Sequence, residues 1–119
     1  MTDVVLEPLA ERALDRPAAE DLDRRIGAAL ARVERMLPQF GAYFPAPASE
    51  SNIYAPMDNV EWTNGFWTGM LWLSWELTGD DRYRAVAEGN LSSFTARIEK
   101  GINVDHHDLG FLYTLSSCA

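Results

Sequence analysis

The sequence predicts an all-α fold, and three observations carry that expectation. Apolar residues recur at steps of three and four, a Gly-Asp pair is placed to join two helices tightly, and no strand pattern competes. At 119 residues the chain has the length of one ordinary domain or part of one.

Residues 1–16 mix short apolar pairs with charges and Pro8 and show no clean period, so they read as a poorly ordered arm. From Pro17, whose fixed φ suits a first helical turn, Leu22, Ile26, Leu30, Val33 and Leu37 form one apolar stripe. Pro38 is expected to stop that helix. The stretch 39–60 contains Gly41, Pro45, Pro47 and Pro56 among Ser and Asn, a composition that punctuates and predicts a long loop. Loops of that length in compact domains are usually functional or disordered.

The second helix is expected over 63–77. Phe66, Met70, Leu73 and Leu77 lie on one side and Trp67, Leu71 and Trp75 on another, and all-round hydrophobicity predicts burial. Gly79 supplies a C-cap and Asp80 an N-cap, so 78–80 forms the turn of an antiparallel helical hairpin. The third helix, from Asp81 to about Lys100, carries Tyr83, Ala87, Leu91, Phe94 and Ile98 on one face and charges elsewhere; Gly101 ends it. A fourth begins near Asp108 with Phe111, Leu112 and Leu115. This order of amphipathic and buried helices is what the alternating outer and inner helices of a toroid give. A helical-repeat array would alternate similarly, but no segment recurs at a fixed period.

Acidic residues outnumber basic ones 18 to 10, and no Lys/Arg cluster offers the footprint that phosphates require, which excludes nucleic acid as a partner. No apolar run approaches the ~20 residues that span a bilayer, so no membrane partner is expected. Residues 1–14 lack the basic and apolar regions of a secretory signal. Cys118 is the single cysteine, which excludes an internal disulfide and a multi-cysteine metal site. A cytoplasmic, reducing setting fits these features.

Two stretches can carry chemistry. In Asp105-His106-His107-Asp108-Leu109-Gly110-Phe111, four titratable residues lead directly into an apolar helix. Asp108 as a helix N-cap would account for one of them, but not for two adjacent histidines at the same helix entrance. Consecutive residues point in different directions and no third ligand cluster occurs, so no metal site is expected. In Glu61-Trp62-Thr63-Asn64-Gly65-Phe66-Trp67-Thr68-Gly69, aromatic residues stand beside two glycines at the mouth of the second helix. Trp67 and Trp75 read as core. Trp62, placed between the long loop and the helix, could present its face to a sugar ring.

Together with Thr78-Gly79-Asp80-Asp81-Arg82-Tyr83, these two stretches resemble the unsaturated glucuronyl hydrolases, glycoside hydrolase family 88. The likeness runs from about Ile26 to the last residue; residues 1–20 contribute nothing to it. It implies that residues 17–119 are the N-terminal part of an (α/α)6 catalytic domain, a partial toroid of about two helical hairpins out of six. It implies Asp108 as the catalytic general acid and base, with Trp62, Phe66 and His107 bordering the sugar; Asn64 and His106 are left unassigned. The implied substrate is an oligosaccharide ending in a 4,5-unsaturated uronic acid, and no cofactor is implied. The free amides of a helix N-terminus favour an ionised carboxylate, whereas a proton donor needs burial or a second acid nearby. The family's second aspartate is expected beyond Ala119, so this fragment alone is expected to be inactive. An unsaturated rhamnogalacturonyl hydrolase and a noncatalytic helical interaction module are the competing readings.

Overall fold

The computed structural model describes residues 18–118. The expected arm and Pro17 lie outside that range. Among the described residues four helices carry the fold: α1 (Ala19–Phe40), α2 (Asn64–Thr78), α3 (Asp81–Glu99) and α4 (Leu109–Ser117), with a small hairpin of β1 (Phe44–Pro45) and β2 (Pro56–Met57) between α1 and α2.

Pro38 does not stop α1; the helix continues through it to Phe40. In the final turn a proline forfeits one backbone hydrogen bond, to the carbonyl of Glu34. Phe40 offsets the loss, because its ring is buried and its carbonyl accepts from Nε1 of Trp67 at 3.2 Å. Of the expected α1 stripe, only Val33 is fully buried, and Leu22 and Ile26 are exposed.

The expected loop is largely a β-hairpin. Phe44 pairs with Met57 and Pro45 with Pro56, and the ladder extends through Ala46 N–H to Ala55 C=O at 2.9 Å. Glu50 and Ile53 close it across Ser51 and Asn52, whose φ values of 51° and 62° are those of a type I′ turn. The prolines that suggested irregular chain sit opposite each other in a two-stranded ribbon, where an absent N–H can face outward. Phe44 anchors the hairpin by packing edge-on to Phe94, with centroids 5.6 Å apart.

The α2–α3 turn forms as expected. Gly79 adopts φ 70° and donates its N–H to the Trp75 carbonyl at 2.7 Å, while the Asp80 carboxylate accepts from the Arg82 N–H at 3.0 Å. The two helices are joined in their buried interior by Asn90 Nδ2 donating to Thr68 Oγ1 at 3.1 Å. Gly65 and Gly69, one turn apart on α2, face α4 and let it cross at backbone distance; a Cβ on Gly69 would stand 3.1 Å from Leu115 Cβ. Trp72 Nε1 also donates to the Ser116 carbonyl on α4 at 2.9 Å. The core unites Val33, Phe40, Phe44, Trp67, Leu71, Tyr83, Ala87, Phe94 and Leu112.

Two burial expectations change. Helix α2 buries Trp67, Leu71 and its small residues, yet Phe66, Met70, Leu73 and Leu77 are exposed. On α3, Ile98 is exposed and Leu91 half-buried, whereas Asn90 and Arg97 are buried. The buried face of α3 therefore includes two polar side chains that its apolar stripe does not show.

Candidate active site

The stretches singled out by sequence meet at one end of the helices. Residues 59–63 lead into α2 and residues 101–108 lead into α4, and between them lies an open cavity of about 420 Å³. Val60, Glu61 and Trp62 line one side, and Asn103, Val104, Asp105, His106 and Asp108 the other. Trp62 and Asp108, far apart in sequence, thus face the same space.

Trp62 belongs to an exposed aromatic cluster. Its ring lies edge-on to Phe66 with centroids 6.3 Å apart and 6.0 Å from Phe111, and Phe66 stacks on Phe111 at 5.6 Å. All three are more than a third exposed, which is unusual for large aromatics unless something flat and partly apolar covers them. Phe66 does not line the cavity itself; it reaches the site through the Trp62 ring. Phe111 was read from sequence only as part of an apolar helix start.

Asp108 occupies the N-cap position of α4, but its carboxylate accepts no hydrogen bond from the first-turn amides. Capping therefore does not explain the residue. The carboxylate is about three-quarters buried and has Nε2 of His107 3.5 Å from its Oδ1. The His107 ring is 93% exposed and does not line the cavity, so among the described residues its one polar neighbour is Asp108. His106 does line it, with both ring nitrogens engaged. The Asp108 N–H donates to Nδ1 at 3.1 Å, so Nε2 carries the ring proton and donates to the Asn103 carbonyl at 2.8 Å. Asn64 is fully buried, and its Oδ1 accepts the Glu61 N–H at 2.7 Å to close the turn into α2.

Sequence reading missed Arg97. Only 1% of it is exposed, and among the described residues no carboxylate pairs with it. Its guanidinium donates to the carbonyls of Ile102 (Nε, 3.0 Å), Glu61 (Nη1, 2.9 Å), Val60 (Nη2, 3.3 Å) and Asn103 (Nη2, 3.0 Å), and to Oδ1 of Asn59 (Nη1, 3.0 Å). Burial draws its pKa below the ordinary arginine value, opposed by the neighbouring Tyr113 and Glu61. A charge on α3 reads as a solvated face; only the unusual arginine beside an apolar stripe could have signalled otherwise.

Among the described residues, no group of three or more His, Cys, Asp or Glu side chains is placed to hold a metal ion. No helix among them is long and apolar enough to cross a membrane.

No protein-family model matches the chain. The chain is 45% identical over 120 residues to an unsaturated chondroitin disaccharide hydrolase of Streptococcus pyogenes serotype M1, covering 98% of this chain and 30% of that protein. It is 49% identical over 94 residues to an unsaturated glucuronyl hydrolase of Bacillus sp. strain GL1, covering 79% and 25% respectively. The crystal structure of unsaturated glucuronyl hydrolase from Streptococcus agalactiae superposes with a TM-score of 0.78 at 47% identity, over 82% of this chain and 24% of that one. In sequence and helical architecture the chain is thus similar to one part of these hydrolases. It is a homologue of the unsaturated glucuronyl hydrolases and spans about a quarter to 30% of the length of the relatives it matches.

Proposed function

We propose that a full-length protein carrying this segment releases 4,5-unsaturated uronic acid from the non-reducing end of oligosaccharides made by polysaccharide lyases, as a member of glycoside hydrolase family 88. Residues 17–119 would then be the N-terminal part of its catalytic domain, working in the cytoplasm. The observation that carries this reading is the shared cavity of Trp62 and Asp108, in which the Asp108 carboxyl is left free by the helix it precedes. A related protein from Streptococcus agalactiae has been crystallised with dGlcA-GalNAc6S, a ligand of the proposed class.

The chemistry follows from an enol ether. Asp108 gives its proton to C4 of the C4=C5 bond, and the π electrons form the new C–H bond. Water adds to C5 and returns a proton to the Asp108 carboxylate, which restores the acid. The C5 hemiketal then opens, with cleavage of its bond to the ring oxygen. That leaves a hemiacetal at C1, which expels the remaining saccharide as an alcohol. Trp62 supplies a flat face for the C–H surface of the sugar, Phe66 supports that ring, and His107 acts from outside the cavity through Nε2, 3.5 Å from the Asp108 carboxylate. The second acid that keeps the donor protonated belongs to the rest of the protein.

Incubation of the full-length protein with an unsaturated disaccharide tests the reading directly. Steady loss of the ultraviolet absorbance of the conjugated double bond is expected; unchanged absorbance over many protein equivalents of substrate would refute it.

A further inference from the structure

A buried arginine without a carboxylate partner is costly unless every N–H finds an acceptor. Arg97 meets that condition: it has five N–H donors in a fixed planar fork and directs them to five acceptors. Those acceptors fall into two groups. Asn59, Val60 and Glu61 belong to the segment that presents Trp62, and Ile102 and Asn103 to the segment that ends at Asp108. Asn103 is itself in the left-handed region at φ 45°, and its Nδ2 crosses to the Val60 carbonyl at 2.9 Å. From the Asn103 carbonyl the connection runs through the His106 ring to the backbone N–H of Asp108.

We infer that Arg97 is a positioning residue: one buried guanidinium fixes the spacing between the Trp62 and Asp108 segments, and His106 passes that constraint to the acid. This rests on the reading of Trp62 and Asp108 as the site. Lysine cannot replace the fork, because three donors on one nitrogen cannot span acceptors on both segments. A small displacement of a catalytic group costs on the order of 100-fold in rate.

The test uses the full-length protein and Arg97→Lys, with hydrogen exchange by mass spectrometry beside kinetics. Expected are roughly 10-fold faster exchange in residues 59–63 and 101–108 together, with the helices of the α2–α3 hairpin still protected. A fall in kcat of about 10- to 100-fold that exceeds any change in KM should accompany it. Unchanged exchange in either segment, or acceleration spread evenly through α2 and α3 with kcat per folded molecule preserved, would overturn the inference. His106→Phe decides the matter should the arginine variant not fold. It should quicken exchange over 104–108 while 59–61 stays protected, and unaltered exchange there would also overturn it. The exchange arm reads the loops whether or not the disaccharide is turned over, so failure of the proposed activity is separately visible.

Discussion

Gly65 of α2 meets the backbone of Leu112 of α4 so closely that a Cβ on the glycine would stand 2.7 Å from the Leu112 Cα. Neither backbone can yield without parting the two helices. Gly65→Ala should therefore destabilise the chain by about 1–3 kcal/mol. Gly89, in α3, has nothing within 4 Å of an added Cβ, so Gly89→Ala should stabilise by about 0.5–1 kcal/mol through helix propensity. Denaturant unfolding of both variants checks the pair, and equal effects would contradict the close crossing.

Asp80 gives a pH signature at the α2–α3 turn. Hydrogen bonds from the Arg82 side chain and backbone hold its carboxyl below the ordinary value, and the Arg82 guanidinium is correspondingly raised. A depressed carboxyl contributes stability that is complete above the unfolded pKa, near pH 4, and lost as pH falls through the lower folded one. The Tm difference between the native chain and Asp80→Ala should thus be constant from about pH 7 to 5 and shrink below about pH 4. A difference that does not change on acidification would count against the ion pair.

Asp108→Asn and Trp62→Ala should fail differently in the full-length protein. The amide cannot supply a proton, so kcat should fall by about 10²- to 10⁴-fold while unfolding is unchanged. Loss of the indole removes a sugar-facing surface, so KM should rise by roughly 10-fold with a smaller effect on kcat. Steady-state kinetics distinguish the two, and preserved turnover in Asp108→Asn would remove the acid from the mechanism.

The 119-residue chain alone should leave the double-bond absorbance of an unsaturated disaccharide unchanged, since it spans only 25–30% of the length of the relatives it matches. It should also self-associate, because Met70, Leu73 and Leu77 of α2 and Ile26 of α1 line one apolar groove. Light scattering should show a shift toward monomer in Leu73→Lys, and an unaltered size distribution would exclude this groove as the cause.

The four helices and the α2–α3 turn were legible because Gly79 and Asp80 act locally through backbone conformation and capping. Pro38 and the β-hairpin were misjudged because tertiary contacts decided them: Phe40 and Phe44 insert into the core and hold chain that composition marks as broken. The two stretches were legible as motifs, and the structure brings Trp62 and Asp108 to one cavity. The rest was hidden in side-chain geometry. Nothing in the order of residues distinguishes the outward ring of His107 from the engaged ring of His106, or a buried Arg97 from a solvated one.

Four of the five acceptors around Arg97 are main-chain carbonyls, which every amino acid provides. Side chains at Val60, Glu61 and Ile102 can therefore be exchanged during divergence without loosening the frame. Such an arrangement separates the durability of the pocket from the identity of the side chains around it.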